Sequence, residues 1–241
     1  VPSQARVAFE SNREDVERLM EIHGDLAGDT PGRKRGVEVL NKSAIVLMCA
    51  VWEAYCEDLA ATAVEHLVNH AEDATALPKA LLKTIAGELK CDKNDLAVWG
   101  LAGDGWKTIL RSRLVNITNR RNRSLNTPKS GNIDSLFEEA VGLAKVSASW
   151  HWHNVTAAKA RSKLDGYVTQ RGDVAHRSKA AGSIKKSHAT GFIKHAERLV
   201  EATDAYVNAR LQAACGVPLF RARRVPARDQ ARDVGGVRST G

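Results

Sequence analysis

The chain has 241 residues, 43% hydrophobic and 27% charged, with a formal net charge of +8, a balance ordinary for a soluble globular protein with a buried core. Its four cysteines are too few for a disulfide scaffold, and the longest apolar run, Ala44 to Trp52, falls well short of the ~20 residues that cross a bilayer. Disulfide-stapled and membrane-spanning classes are therefore excluded, and a reducing cytoplasm is the expected location. Aromatic residues make up 5% of the chain, alanine is plentiful and β-branched runs bounded by turn residues are scarce, which together predict a nearly all-α protein.

The first predicted helix runs from about Gln4 to Leu26, with Val16, Leu19, Ile22 or His23, and Leu26 on one face. Pro31 and Gly32 end it. The second, about Val37 to His70, is apolar over too wide an arc for a surface helix, which places it at the centre of a bundle; Trp52 and Tyr55 are expected there as packing residues. Pro78 fits the first turn of a third helix reaching about Leu89. The stretch from Cys91 to Trp106 reads as loop with short helical turns, and a fourth helix follows from Trp106 through Ile117. "RRNRSLNTPKSGN" reads as polar and turn-rich, with Asn132 as cap of the helix that begins "IDSLFEEAVGL". Two longer helices follow, about Val155 to Ala180 and Ala189 to Ala214, the last with a stripe of Ile193, Ala196, Val200, Thr203, Val207 and Leu211. The simplest division is one helical domain over residues 1–215 and a basic, flexible tail over 216–241, rich in arginine, proline and glycine.

The distribution of charge matters more than its sum. Six arginines against Asp229 and Asp233 give the tail alone +4, half of the excess. Within the body, Lys107 to Lys129 holds seven Lys/Arg and no acid, and Lys159 to Lys186 is basic as well. Each stretch reads equally as a solvated helix face or as a surface for a polyanion. "WHWH", Trp150 to His153, lacks the third and fourth ligands that zinc usually requires, so no metal site is expected. His188 and His195 are expected to be solvated. Glycine-rich phosphate loops, nucleophile elbows and zinc-finger spacings are absent.

The segment with chemical promise is "RGDVAH", Arg171 to His176. Five helical positions differ by ~140° in direction and ~7.5 Å along the axis, so Arg171 and His176 are no hydrogen-bonded pair within one helix. Either they are unrelated surface residues, or both reach a cleft whose other wall comes from elsewhere, most economically from a second copy of the same helix.

That pattern resembles the HEPN superfamily, whose helical-bundle ribonucleases carry an arginine, four to six intervening residues and a histidine, commonly at a homodimer interface. "AVWEAYCEDLA" at Ala50 to Ala60 is similar to the central-helix pattern of the RiboL-PSP branch. "LNTPKSGNIDSLFEEAVGL" at Leu125 to Leu143, then Trp150 and "LDGYVTQRGDVAH", look like that branch's later segments in the same order. The sequence departs from many members in having Gly172, rather than a polar residue, directly after the arginine.

The resemblance implies RNA cleavage without a metal or other cofactor, in which the ribose 2′-oxygen attacks the adjacent phosphorus and leaves a 2′,3′-cyclic phosphate. His176 would be the general acid or base and Arg171 the phosphate-binding and charge-stabilising group. Asp173 would either orient the imidazole or form an ordinary helix ion pair with Arg177. Glu53 would either support the site from the central helix or pair with a nearby cation. Arg177, Lys179, Arg120, Arg121 and Arg123 would hold the RNA backbone without reading its sequence. The implied partners are the RNA substrate, a second copy of the chain and a restraining, antitoxin-like protein in a prokaryotic defence or toxin system, with no membrane. A catalytically silent HEPN module binding nucleic acid, nucleotide or protein is the alternative, and a scaffold with a basic tail is a third reading.

Overall fold

A computed structural model describes residues 2–27, 36–123, 127–177 and 183–220. Among these residues the chain is all helical, with seven α-helices: α1 (Gln4–Ala27), α2 (Glu38–His70), α3 (Lys79–Lys90), α4 (Gly105–Arg123), α5 (Ser130–Val141), α6 (Ala157–Arg177) and α7 (Lys186–Cys215). Short 3₁₀ turns punctuate the connections, one of them at Ala97–Leu101 in the stretch read as loop.

Helix α2 buries residues around its whole circumference, from Ala44 and Ile45 to Leu67 and Val68, and packs against α1, α4, α5, α6 and α7. Trp52 and Tyr55 are both fully enclosed. Their rings stack at 5.6 Å, and Trp150 meets Trp52 edge-on at 5.8 Å, geometries that suit the aromatic quadrupole. On α7 every member of the predicted stripe from Ile193 to Leu211 is buried. Thr203 is part of that stripe because its hydroxyl accepts from Trp150 Nε1 at 2.8 Å and donates to the Leu199 carbonyl at 2.7 Å, so no polar group is stranded.

Several local expectations are corrected. On α1 the buried face is Phe9, Val16, Met20 and His23, and Leu26 is 69% exposed, because this stripe has turned away from position 26 by the helix end. Arg120, Arg121 and Arg123, read as turn-rich, are helical in α4. Asn132 is not the cap of α5, which begins two residues earlier; its amide donates instead to the Thr127 carbonyl at 2.7 Å. The start of α5 is held from α6, where the Asp165 carboxylate accepts from the Ser130 backbone N–H at 2.8 Å and from the Ser130 hydroxyl at 2.9 Å. Residues 216–220, assigned by sequence to the tail, lie against the bundle: His66 Nε2 donates to the Val217 carbonyl at 3.0 Å, and the Phe220 N–H donates to Asn208 Oδ1 at 3.2 Å. The rest of the tail, residues 221–241, lies outside the described residues.

His195, expected in solvent, is buried between Trp152 and Tyr167. Its Nε2 donates to the Ala160 carbonyl at 3.0 Å. Burial, with Lys163 adding to it, pushes its pKa down to about 4 from 6.5. The fold thus prefers the neutral ring, whereas the unfolded chain takes a proton near pH 6.5. The stabilisation is complete above that pH and is lost as pH falls toward 4, a loss of about 3 kcal/mol at ~1.4 kcal/mol per unit. Denaturant unfolding followed between pH 7 and pH 4 should show this slope, and His195→Gln should flatten it.

Candidate functional site

Helix α6 continues through Arg177, so the whole of "RGDVAH" is helical and the spacing argument applies to it directly. Arg171 is half-buried on the side facing α2. There the Cys49 thiol is enclosed, and burial pushes its pKa up to about 12; the Arg171 guanidinium works against that rise and the Glu53 carboxylate adds to it. Arg171 of α6 and Glu53 of α2 are thereby brought into electrostatic reach of one buried side chain.

The C-terminal end of α4 arrives at the same level. Arg111 pairs with Glu65 at 2.9 Å, and Pro128, just beyond α4, accepts from Trp52 Nε1 at 3.2 Å. Helix α4 therefore runs antiparallel to α2 and carries positions 120, 121 and 123 toward the level of Trp52 and Glu53. The first half of the Lys107–Lys129 cluster is different in kind. Lys107 pairs with Asp104, Arg111 with Glu65, and Arg113 with Glu88, while Arg113 also donates to the Glu139 carbonyl. Arg111 and Arg113 thus hold α4 to α2 and α3, while the Lys107 pair is local to the start of α4.

Asp173 stands apart from Arg171. Two residues on a helix differ by ~200°, and Asp173 is exposed on the opposite face, in a groove of about 580 Å³ between α6 and the start of α7. The helical register puts position 176 within ~60° of Asp173 and ~140° from Arg171. For His176, Arg177, Arg120, Arg121 and Arg123 the backbone alone is described, and Lys179 lies outside the described residues. His151 and His153 are exposed, and among the described residues no three metal-ligating side chains come together.

Gly172 sits between these two faces. A Cβ built on it would meet nothing within 4 Å in this chain, so packing within one copy gives no reason for a glycine in mid-helix. Gly172→Ala should accordingly raise the stability of an isolated copy by about 1 kcal/mol, the helix-propensity difference, as read from the denaturant midpoint. If a second chain approaches here, the same substitution should weaken self-association measured by sedimentation.

Sequence reading passed over Gln170 and expected His188 in solvent, where its ring is indeed exposed. Gln170 Nε2 and His188 Nδ1 are 3.4 Å apart, joining α6 to the first turn of α7 in the wall of the groove. The signal was present in the four-residue spacing of Asp165, Thr169 and Asp173, which repeats on one face up to position 176.

These features define a class: an all-helical bundle whose central helix is covered on several sides and whose sixth helix ends in an arginine–histidine segment. The chain belongs to the RiboL-PSP-HEPN family, whose family model matches residues 11–209. Membership is compatible with nuclease or RNA-binding roles, and HEPN domains often dimerise. No curated protein and no solved structure matches the chain. No helix among the described residues is long and apolar enough to cross a membrane.

Proposed function

We propose that this protein is an endoribonuclease that cleaves RNA by internal attack of the ribose 2′-oxygen, acting as a homodimer. The observation that carries the reading is the placement of "RGDVAH" at the end of α6. Arg171 faces α2 and its Glu53 neighbourhood, the arginine-bearing end of α4 lies at the same level, and the histidine position lies on another face of the helix.

In this reading His176 takes the proton from the 2′-hydroxyl or gives one to the departing 5′-oxygen, a role its imidazole suits near neutral pH. The 2′-oxygen forms a bond to phosphorus as the bond to the 5′-oxygen breaks, leaving a 2′,3′-cyclic phosphate and a 5′-hydroxyl. Arg171 holds the phosphate and the charge that grows on its oxygens, with a fork of N–H donors suited to that shape. Because positions 171 and 176 diverge by ~140° on one helix, a second copy related by a two-fold axis is the economical source of the opposing group. Arg120, Arg121, Arg123, Arg177 and Lys179 add sequence-independent attraction for the backbone. In this reading the activity serves prokaryotic defence or a toxin-like system and is restrained by a partner protein. The direct test is incubation of the full chain with total RNA in EDTA, with the ends of the products identified chemically.

A further inference from the structure

Apart from Asp173, expected to orient the imidazole or pair with Arg177, the residues of the groove beside α6 carry none of the catalytic or RNA-binding roles above. Its wall is built by Asp165, Thr169 and Asp173 on one face of α6, with Gln170 beside them and Ser183 and His188 opposite. Position 176 falls in the same angular sector of the helix, only ~4.5 Å further along the axis than Asp173. The groove thus leads back from the histidine position along α6.

The described side chains of the wall offer mainly hydrogen-bond acceptors. Asp173 offers two carboxylate oxygens to the groove with no ion pair among the described residues. The Asp165 oxygens each accept one hydrogen bond from Ser130 and keep a further lone pair. The Thr169 hydroxyl proton is already given to the Asp165 carbonyl at 2.8 Å. What remains among the described residues is rich in acceptors that suit N–H donors. His188, steadied by Gln170, adds a flat ring at the rim. Gly166 also borders the groove, and a Cβ there would meet nothing within 4 Å; the bare backbone leaves room for a close approach.

We infer that this groove is a nucleobase subsite that takes guanine in single-stranded RNA next to the scissile phosphate. Single-stranded RNA is read by bases turned out onto flat side chains and bonded along their Watson–Crick edges. Guanine is the base whose edge carries two adjacent N–H donors, at N1 and N2, and these match one carboxylate. The inference rests on the ribonuclease reading for its location but makes its own claim about binding.

The test separates the two. In the full-length His176→Ala background, binding of fluorescein-labelled five-residue RNAs carrying a central guanine, inosine or adenine is measured by anisotropy. Guanine should bind about tenfold more tightly than adenine, with inosine, which lacks the N2 amino group, in between. Asp173→Asn and His188→Ala should each reduce the guanine preference to less than threefold. Circular dichroism of the same samples keeps a folding failure from passing as a loss of recognition, and Gln170→Ala, which frees the His188 ring and removes one side chain from the wall, should give a partial loss. Equal affinity for all three RNAs, or a preference untouched by both substitutions, overturns the subsite. Cleavage by the parent chain is scored separately: cleavage without base preference leaves the nuclease and removes the subsite, and base preference without cleavage does the reverse.

Discussion

Replacing His176 with alanine should reduce RNA cleavage by about 10²–10⁴-fold, the range that a positioned general acid or base supplies. The parent chain in EDTA should give fragments with cyclic-phosphate ends, and His176→Ala should give none above background. Position 176 lies near the end of α6, one residue before its last, and alanine there retains the helix propensity. Far-ultraviolet circular dichroism and the unfolding midpoint should be unchanged. Equal cleavage by both proteins would end the ribonuclease assignment for this residue; intact RNA with both, together with measurable RNA affinity, would favour a silent binding module.

The largest loss of stability should come from Trp52→Ala, about 3–5 kcal/mol, comparable with the whole stability of many domains. The indole is completely buried and touches Tyr55 and Trp150 through its ring. Its N–H is satisfied by the Pro128 carbonyl at 3.2 Å. Truncation leaves a cavity in the middle of α2 and strips that carbonyl of its partner. The consequence reaches the site, because Pro128 precedes the turn that presents Ser130 to Asp165 on α6. Urea unfolding of Trp52→Phe should show an intermediate loss, since phenylalanine refills most of the volume but brings no N–H.

The bundle was legible in the sequence wherever a residue's fate depended on its own helix. The α7 stripe and the wide apolar arc of α2 follow from periodicity, and Trp52 and Tyr55 were placed correctly as packing. What escaped depended on a second element. His195 is buried only because Trp152 and Tyr167 close over it, and nothing in its own heptad says so. The cap of α5 comes from Asp165, 35 positions downstream, beyond any local capping rule. The basic run from Lys107 carries no acid of its own, and its partners come from elsewhere: Arg111 meets Glu65 of α2 and Arg113 meets Glu88 of α3. For the site, the arginine–histidine spacing was readable, whereas the separation of Asp173 from Arg171 needed α6 to be confirmed as helix through Arg177.

Asp165 occupies a position between two tasks. Its oxygens fasten the first residue of α5, and its flank borders the groove on α6. Thermodynamic linkage makes such a shared group reciprocal. A molecule whose binding to this carboxylate alters its grip on Ser130 is coupled to the beginning of α5, and anything that steadies the beginning of α5 then changes the affinity of the groove by the same factor. Residues 127–129, which lead into Ser130, are thereby coupled to whatever the groove holds, with no long conformational relay between them.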